Sequence, residues 1–472
     1  MLGNRPAAMY GRHMDVAERT AAGKAARSQS PRSGGADWSA ADGRMDPIAI
    51  LERQAETRLQ DLVPIRYGRM AASPFAFFRG AAAVLAADLA ATPVSGLDVQ
   101  ACGDAHLSNF GAFAAPDRRL VFDLNDFDET LPGPWEWDVK RLAASFAVAA
   151  RENGLKRKQR QALLLRVTRT YRESMRDFAA LGNLEVWYAR FDIEAALAEV
   201  EHDDPDEVKR VRKGVAKAQS KDSLRALEKL TETVDGEIRF RSEPPLLVPG
   251  EELVAAADGP PLLEMLQGVL DAYRDSLPPD RQVLLDGYRF RQIARKVVGV
   301  GSVGTRAWVI LLTGSDDDDP LFLQAKEAEA SVLEPYSGAS RFRNHGRRVV
   351  EGQRLMQAAS DIFLGWCSAT GLDGRPHDFY VRQLWDWKRS AEIERLSPSG
   401  LDVYARMCGQ TLARAHARSG DRIAIASYLG GGDAFDRAIA DFSEDYAEQN
   451  LRDHQALLDA IDSGRVEAET RY

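Results

Sequence analysis

The sequence predicts an α+β fold of two lobes, one mainly helical and one built on an antiparallel sheet. Three observations predict it. Residues 137–233 follow a helical apolar period, residues 290–325 break into short runs rich in Val, Ile, Leu and Phe, and helical periodicity returns over 401–418 and 433–462. At 472 residues the chain is long enough for two or three ordinary domains or one bilobed enzyme with a substantial core.

Composition narrows the classes. With 44% hydrophobic and 28% charged residues the chain reads as globular, and a net charge of -9 argues against a general nucleic-acid binder. There is no run of about 18 apolar residues to span a membrane, and the Met1 end lacks the apolar core of a secretory signal. Cys102, Cys367 and Cys408 have no paired spacing, so neither a disulfide framework nor a zinc knuckle is suggested. The expectation is a cytoplasmic protein with no membrane or nucleic-acid partner.

Residues 1–44 are rich in Gly, Ala, Ser and Arg and poor in large apolar residues, which predicts a disordered tail. Asp46-Pro47 and Ser73-Pro74 supply a cap and a first-turn proline for two helices. Residues 97–102 and 120–124 read as strands around a loop that holds Asp104, His106 and Asn109. Helices are expected over 139–153, 156–181 and 184–200, followed by a basic stretch near 209–229 that reads as a solvated face. Pro244, Pro245, Pro249 and Pro260-Pro261 mark a connection, and 262–277 a helix. Strands are expected over 290–298, 307–313, 321–325 and 379–384, with a helix over 347–359. The predicted division is therefore a tail (1–44), a helical lobe (45–280), a β-rich lobe (281–395) and returning C-terminal helices (396–472).

Two clusters carry chemistry. In Gly103-Asp104-Ala105-His106-Leu107-Ser108-Asn109, an Asp is followed five residues later by an Asn, so one loop can supply both a base for an acceptor hydroxyl and a metal ligand. An Asp after the next strand can supply a second ligand, and Asp123, Asp126 and Asp128 compete for that place. His106 can hold the loop by a hydrogen bond. The second cluster is Gly299-Val300-Gly301-Ser302-Val303-Gly304, followed by the strand formers of 305–313. A strand-turn-strand hairpin is expected rather than the strand-turn-helix of a dinucleotide site, and its glycines let backbone N–H groups approach phosphate oxygens. Lys326 ends the next apolar strand, where a cation can meet nucleotide phosphates. Glu351 is the expected partner for it, with Glu329 and Glu334 as alternatives.

Cys102 to Asn109, then Asp126-Phe127, then Gly133 to Val139 resemble the catalytic segment of the aminoglycoside-phosphotransferase branch of the protein-kinase-like fold, with Cys102 in place of a His. Asp126 and Asp138 stand 12 residues apart, as in that pattern, which places the metal-binding Asp at 126 with Asp123 as second choice. The resemblance implies Mg²⁺ and ATP, with Asp104 acting on the acceptor, Asn109 and Asp126 on the metal, and Gly299, Gly301, Ser302, Gly304, Lys326 and Glu351 on the nucleotide. The glycine turn, Lys326, Glu351, the 379–384 strand and the 401–418 helix follow the loop instead of preceding it but keep their mutual order, which implies a circular permutation. From about residue 45 onward the chain also resembles a bacterial family known only as a domain of unknown function, recognisable by Arg69-Met70-Ala71-Ala72-Ser73-Pro74-Phe75-Ala76-Phe77-Phe78-Arg79-Gly80. The expected activity is Mg-ATP-dependent phosphotransfer to an unidentified small-molecule or protein hydroxyl. A metal-dependent phosphoesterase or a non-catalytic nucleotide-binding scaffold are the alternatives.

Overall fold

The computed structural model describes residues 14–193, 223–256, 262–384 and 389–472. The chain is α+β, with all strand pairs antiparallel. At the centre of the helical part lies Trp135–Glu152, buried on nearly every side. Its Ala143, Ala144, Ala147 and Ala150 have no bulk to hold neighbours away, and Arg157–Ala180 and Ala434–Asp462 pack directly on it. Trp135 stacks on Tyr171 with ring centroids 5.6 Å apart, and Pro398–Ser419 lies along Arg157–Ala180.

The larger sheet has six strands in the order Gly365–Thr370, Pro376–Gln383, Pro320–Ala328, Ala307–Thr313, Arg289–Lys296, Leu247–Pro249. Its inner strands are apolar at successive positions because both faces are covered. Ile310, Leu312, Leu323 and Val381 pack with Tyr273 and Leu277 on one side, whereas Val309, Leu311 and Phe322 meet Ala226, Leu230 and Phe240 on the other. Ala226, Leu230, Phe240, Tyr273 and Leu277 thus belong to this sheet's cores, although they precede the expected boundary at 281. The proline-marked connection contributes the edge strand Leu247–Pro249. A smaller sheet, ordered Arg389–Ser390, Phe110–Ala114, Leu120–Leu124, Phe191–Asp192, lies on the helical side.

The N-terminal expectation needs correction. Residues 14–44 are built into the fold: Val16–Gln29 is a helix with an Asp15 capping box, packed against Arg422–Leu429. Small residues misled the composition argument, since here they permit close approach; a Cβ on Gly23 would sit 2.1 Å from the Ala424 carbonyl oxygen. Arg44 then ties the segment down by bridging Asp88 and Asp453 at 2.7 Å each. Residues 1–13, the expected helical continuation over 194–200, most of the basic stretch and Pro260-Pro261 lie outside the described residues.

Candidate functional site

The 103–109 loop is fixed from below. Gly103 has φ +80°, and a Cβ there would meet the Glu129 carbonyl oxygen at 2.3 Å, so only glycine fits. Asp138, in the first turn of Trp135–Glu152, accepts from the backbone N–H groups of Cys102 (2.6 Å) and Gly103 (2.9 Å) and pairs with His416 at 3.1 Å. Tyr404, on the same helix as His416, donates to the carbonyls of Leu107 (2.8 Å) and Phe110 (3.0 Å). Pro398–Ser419 thus buttresses the loop.

On this frame Asp104 presents its carboxylate beside Arg141, whose Nε and Nη2 both contact Oδ1 at 2.8 and 2.5 Å. Its Oδ2 lies 3.7 Å from His106 Nε2. Burial, partly offset by Arg141, pushes the Asp104 carboxyl up to about 6. Burial and the positive charges of Arg141 and Arg79 hold the His106 imidazole well below its ordinary value, so it stays neutral. Asn109 donates from Nδ2 to the Asp104 carbonyl (2.8 Å), which leaves its Oδ1 available to a ligand.

The sheet supplies the facing groups. Lys326, only 2% exposed, stands across from Tyr380 in strand register, and its ammonium meets Asp126 Oδ1 at 3.4 Å and Asp128 Oδ2 at 2.5 Å. Tyr380 donates its hydroxyl to the other Asp128 oxygen at 2.5 Å. Burial acts against the lysine's charge, yet the two carboxylates outweigh it and raise its pKa. The 299–304 turn joins Arg289–Lys296 to Ala307–Thr313 as a hairpin, and Ser302 Oγ reaches Asp128 Oδ2 at 3.4 Å. Gly299 and Gly304 have positive φ, and a Cβ on Gly301 would crowd the Arg79 carbonyl at 3.1 Å. These glycines therefore serve local geometry as well as any ligand.

Asp104, Asn109, Asp126, Asp128, Gly299, Gly301 and Ser302 line one cavity of about 770 Å³, a volume within the range of small-molecule sites. Four expected residues do not line it: Gly304, Lys326, Glu351 and Asp123. Glu351 lies 3.8 Å from Arg347 on its own helix, not beside Lys326, whose charge Asp126 and Asp128 already meet. The helix His345–Met356 instead sends Arg348 inward, where it donates to the carbonyls of Asp128, Thr130 and Glu329. Asp123, 1% exposed, is paired with Arg414 at 2.6 Å and accepts from the Ala358 and Leu124 N–H groups, so its oxygens are committed to structure.

For a divalent cation, the cavity offers the partly exposed carboxylates of Asp126 and Asp128 and the Asn109 amide oxygen. Among the described residues no three His, Cys, Asp or Glu side chains converge as a ready-made metal cage. An oxygen set completed by phosphate and water fits Mg²⁺, which keeps much of its hydration in such sites.

Sequence reasoning missed the basic wall of this cavity. Arg58, Arg66 and Arg79 line it, and Arg79 lay within a recognised motif whose charge was given no task. The signal was the arginine inside an otherwise apolar run.

An α+β protein with one cleft carrying carboxylates, a buried lysine and arginines is what fold and site define. The chain belongs to the family described as "uncharacterized protein conserved in bacteria" (DUF2252), which matches residues 58–460. No curated protein and no solved structure matches it. No helix of the described residues is long and apolar enough to cross a membrane.

Two stability predictions arise here. Arg414→Leu should strand a fully buried Asp123 carboxylate and cost about 3–5 kcal/mol in urea unfolding; a loss below 1 kcal/mol would show that water or another group compensates. Glu129 accepts from the Val332 N–H at 2.8 Å, and burial pushes its carboxyl up from 4.5 to about 7. A carboxyl raised in the folded state holds its proton after the unfolded one has ionised, so it takes stability away as pH rises from about 4.5 to 7. Glu129→Gln should therefore be more stable than wild type at pH 8, by roughly 1–2 kcal/mol given its partial exposure, and nearly equal at pH 4.5. Equal unfolding midpoints at pH 8 would contradict this.

Proposed function

We propose that the protein is a Mg-ATP-dependent phosphotransferase with a circularly permuted, protein-kinase-like arrangement, acting on a hydroxyl-bearing substrate. The observation that carries the reading is the convergence of distant segments: the 103–109 loop, Asp126 and the 299–304 turn share one cavity, and Lys326 reaches its floor through Asp126 and Asp128. Such sites work by positioning and charge stabilisation rather than by covalent chemistry, and need these parts together.

In this reading Asp104 receives the proton of the acceptor hydroxyl as its oxygen bonds to the γ-phosphorus and the bond from that phosphorus to the ADP oxygen breaks. Oδ2 is the oxygen available for this, because Arg141 occupies Oδ1. Asn109 and Asp126 would hold the metal ion, which would supply positive charge to the phosphates. Asp128 keeps Lys326 and Tyr380 aligned. The turn's backbone covers the phosphates, and Lys326, buried behind Asp126 and Asp128, offsets the charge those carboxylates bring near them.

The test is incubation of the full chain with γ-labelled ATP, Mg²⁺ and a bacterial metabolite extract, followed by mass analysis. Label carried on an organic acceptor is expected. Label released only as inorganic phosphate, at a rate that no acceptor changes, would favour hydrolysis instead.

A further inference from the structure

Three arginines line the cavity without an ion pair to any described residue. Arg66 is fully buried and uses only Nη2, which donates to Gln54 Oε1 (3.0 Å) and the Gly80 carbonyl (3.2 Å); its Nε and Nη1 are buried with no partner. Arg58 donates from Nη1 to the Val303 carbonyl at 2.5 Å, and its Nε is buried and unpartnered. Arg79 makes no hydrogen bond or ion pair with any described residue, and its Nε is likewise buried without a partner.

Such a cluster is costly. Guanidinium groups shut away from water lose hydration, and Arg58 and Arg66 also repel each other, so burial pulls all three below their ordinary pKa. Of the carboxylates that act on them through space, Asp104 is engaged with Arg141, Asp126 with Lys326, Glu327 with Arg306 and Glu129 with the Val332 N–H, whereas the exposed Glu394 acts on Arg79 from beyond ion-pair distance. Glu329 stands near Arg58 and Arg66 without bonding either. Arg58 and Arg79 keep part of their side chains exposed where they line the cavity, and guanidinium donors presented there match the oxygens of a phosphate or carboxylate.

We propose that Arg58, Arg66 and Arg79 form an anion subsite for the acceptor, so that the substrate carries a phosphate or carboxylate group as well as the reacting hydroxyl. The acceptor assignment rests on the phosphotransferase reading. Arg79 lines the same cavity as Asp104 and His106, which puts the arginines beside the base. Arg66 comes from the helix Val63–Ala71, Arg79 from Pro74–Gly80 and Arg58 from the segment before them, not from the sheet that carries Lys326. One molecule can then place its hydroxyl at Asp104 and its anionic group on the arginines.

The experiment is calorimetric titration of inorganic phosphate into the full-length protein saturated with Mg²⁺ and a non-hydrolysable ATP analogue. Wild type is expected to bind phosphate saturably, and Arg79→Gln and Arg58→Gln to weaken that binding about tenfold or more; Arg79→Gln should change nucleotide affinity by no more than about twofold, a readout not taken from Arg58→Gln because Arg58 also holds the Val303 carbonyl of the turn. Arg66→Met is the third variant, read only if its thermal unfolding matches wild type. Unchanged phosphate affinity in Arg79→Gln and Arg58→Gln would overturn the proposal, as would loss of nucleotide affinity in step with it in Arg79→Gln, because the arginines would then serve the nucleotide. Phosphate binding through the arginines with no nucleotide binding would leave the subsite standing and remove the phosphotransferase reading. Nucleotide binding without phosphate binding would do the reverse.

Discussion

Asp104→Asn, folded and with unchanged affinity for Mg-nucleotide, is expected to transfer phosphoryl groups at least about 10²-fold more slowly than wild type, the usual scale for loss of a general base. Asparagine keeps an oxygen for Arg141, so the loop stays in place while the proton acceptor is gone. The same carboxyl sets the pH profile. With its pKa raised to about 6, Asp104 must lose its proton to act, so the rate should climb with pH up to about 6 and level off above it. Below that point it should fall about tenfold per pH unit. A variant that turns over normally, or a wild-type rate that rises as pH drops from 7 to 5, would remove Asp104 from the chemistry.

Lys326→Met is expected to fail in two ways at once. It takes the cation from between Asp126 and Asp128, which leaves two carboxylates facing each other beside Tyr380. Breaking a buried pair in this way costs about 3–5 kcal/mol; with both carboxylates roughly a quarter exposed, about 2–4 kcal/mol is expected here. Nucleotide affinity should fall as well, since the charge those carboxylates bring near the phosphates is no longer offset. Urea unfolding and nucleotide titration on the same preparation separate the two effects. Wild-type nucleotide affinity in the folded variant would leave Lys326 a purely structural cation.

Local patterns made much of this legible. The 307–313 run had to be a strand covered on both faces, because no polar residue interrupts it, and the glycine turn before it had to be a hairpin, because strand formers follow. Ser397-Pro398 and Asp421 announce helix starts in the same terms as Ser73-Pro74, although the short helix Arg422–Leu429 escaped notice between two long ones. What local pattern cannot supply is the partner of a buried charge. Glu351 looked right for Lys326 by order along the chain, but the ammonium met the carboxylates that came nearest in three dimensions, 198 and 200 residues away. Asp123 and Asp126 are only three residues apart; Asp123 lies within the strand Leu120–Leu124 and meets Arg414, whereas Asp126 lies beyond the strand's end and lines the cavity. The arginine wall was hidden for the same reason. Arg58 lies between helices and Arg66 and Arg79 on separate ones, and Arg58 and Arg79 are brought to the cavity against the glycine hairpin only by packing.

The central claim is that this cavity binds a nucleotide through a metal ion held by Asn109 and Asp126. Calorimetric titration of ATP into the full-length protein, with Mg²⁺ or with EDTA, in wild type and in Asp126→Ala, tests it most directly. The account predicts saturable binding of ATP by wild type only when Mg²⁺ is present, and loss of that Mg²⁺-dependent binding in a folded Asp126→Ala variant. ATP binding that is absent in wild type, or equally strong in EDTA and in the Asp126→Ala variant, would contradict it.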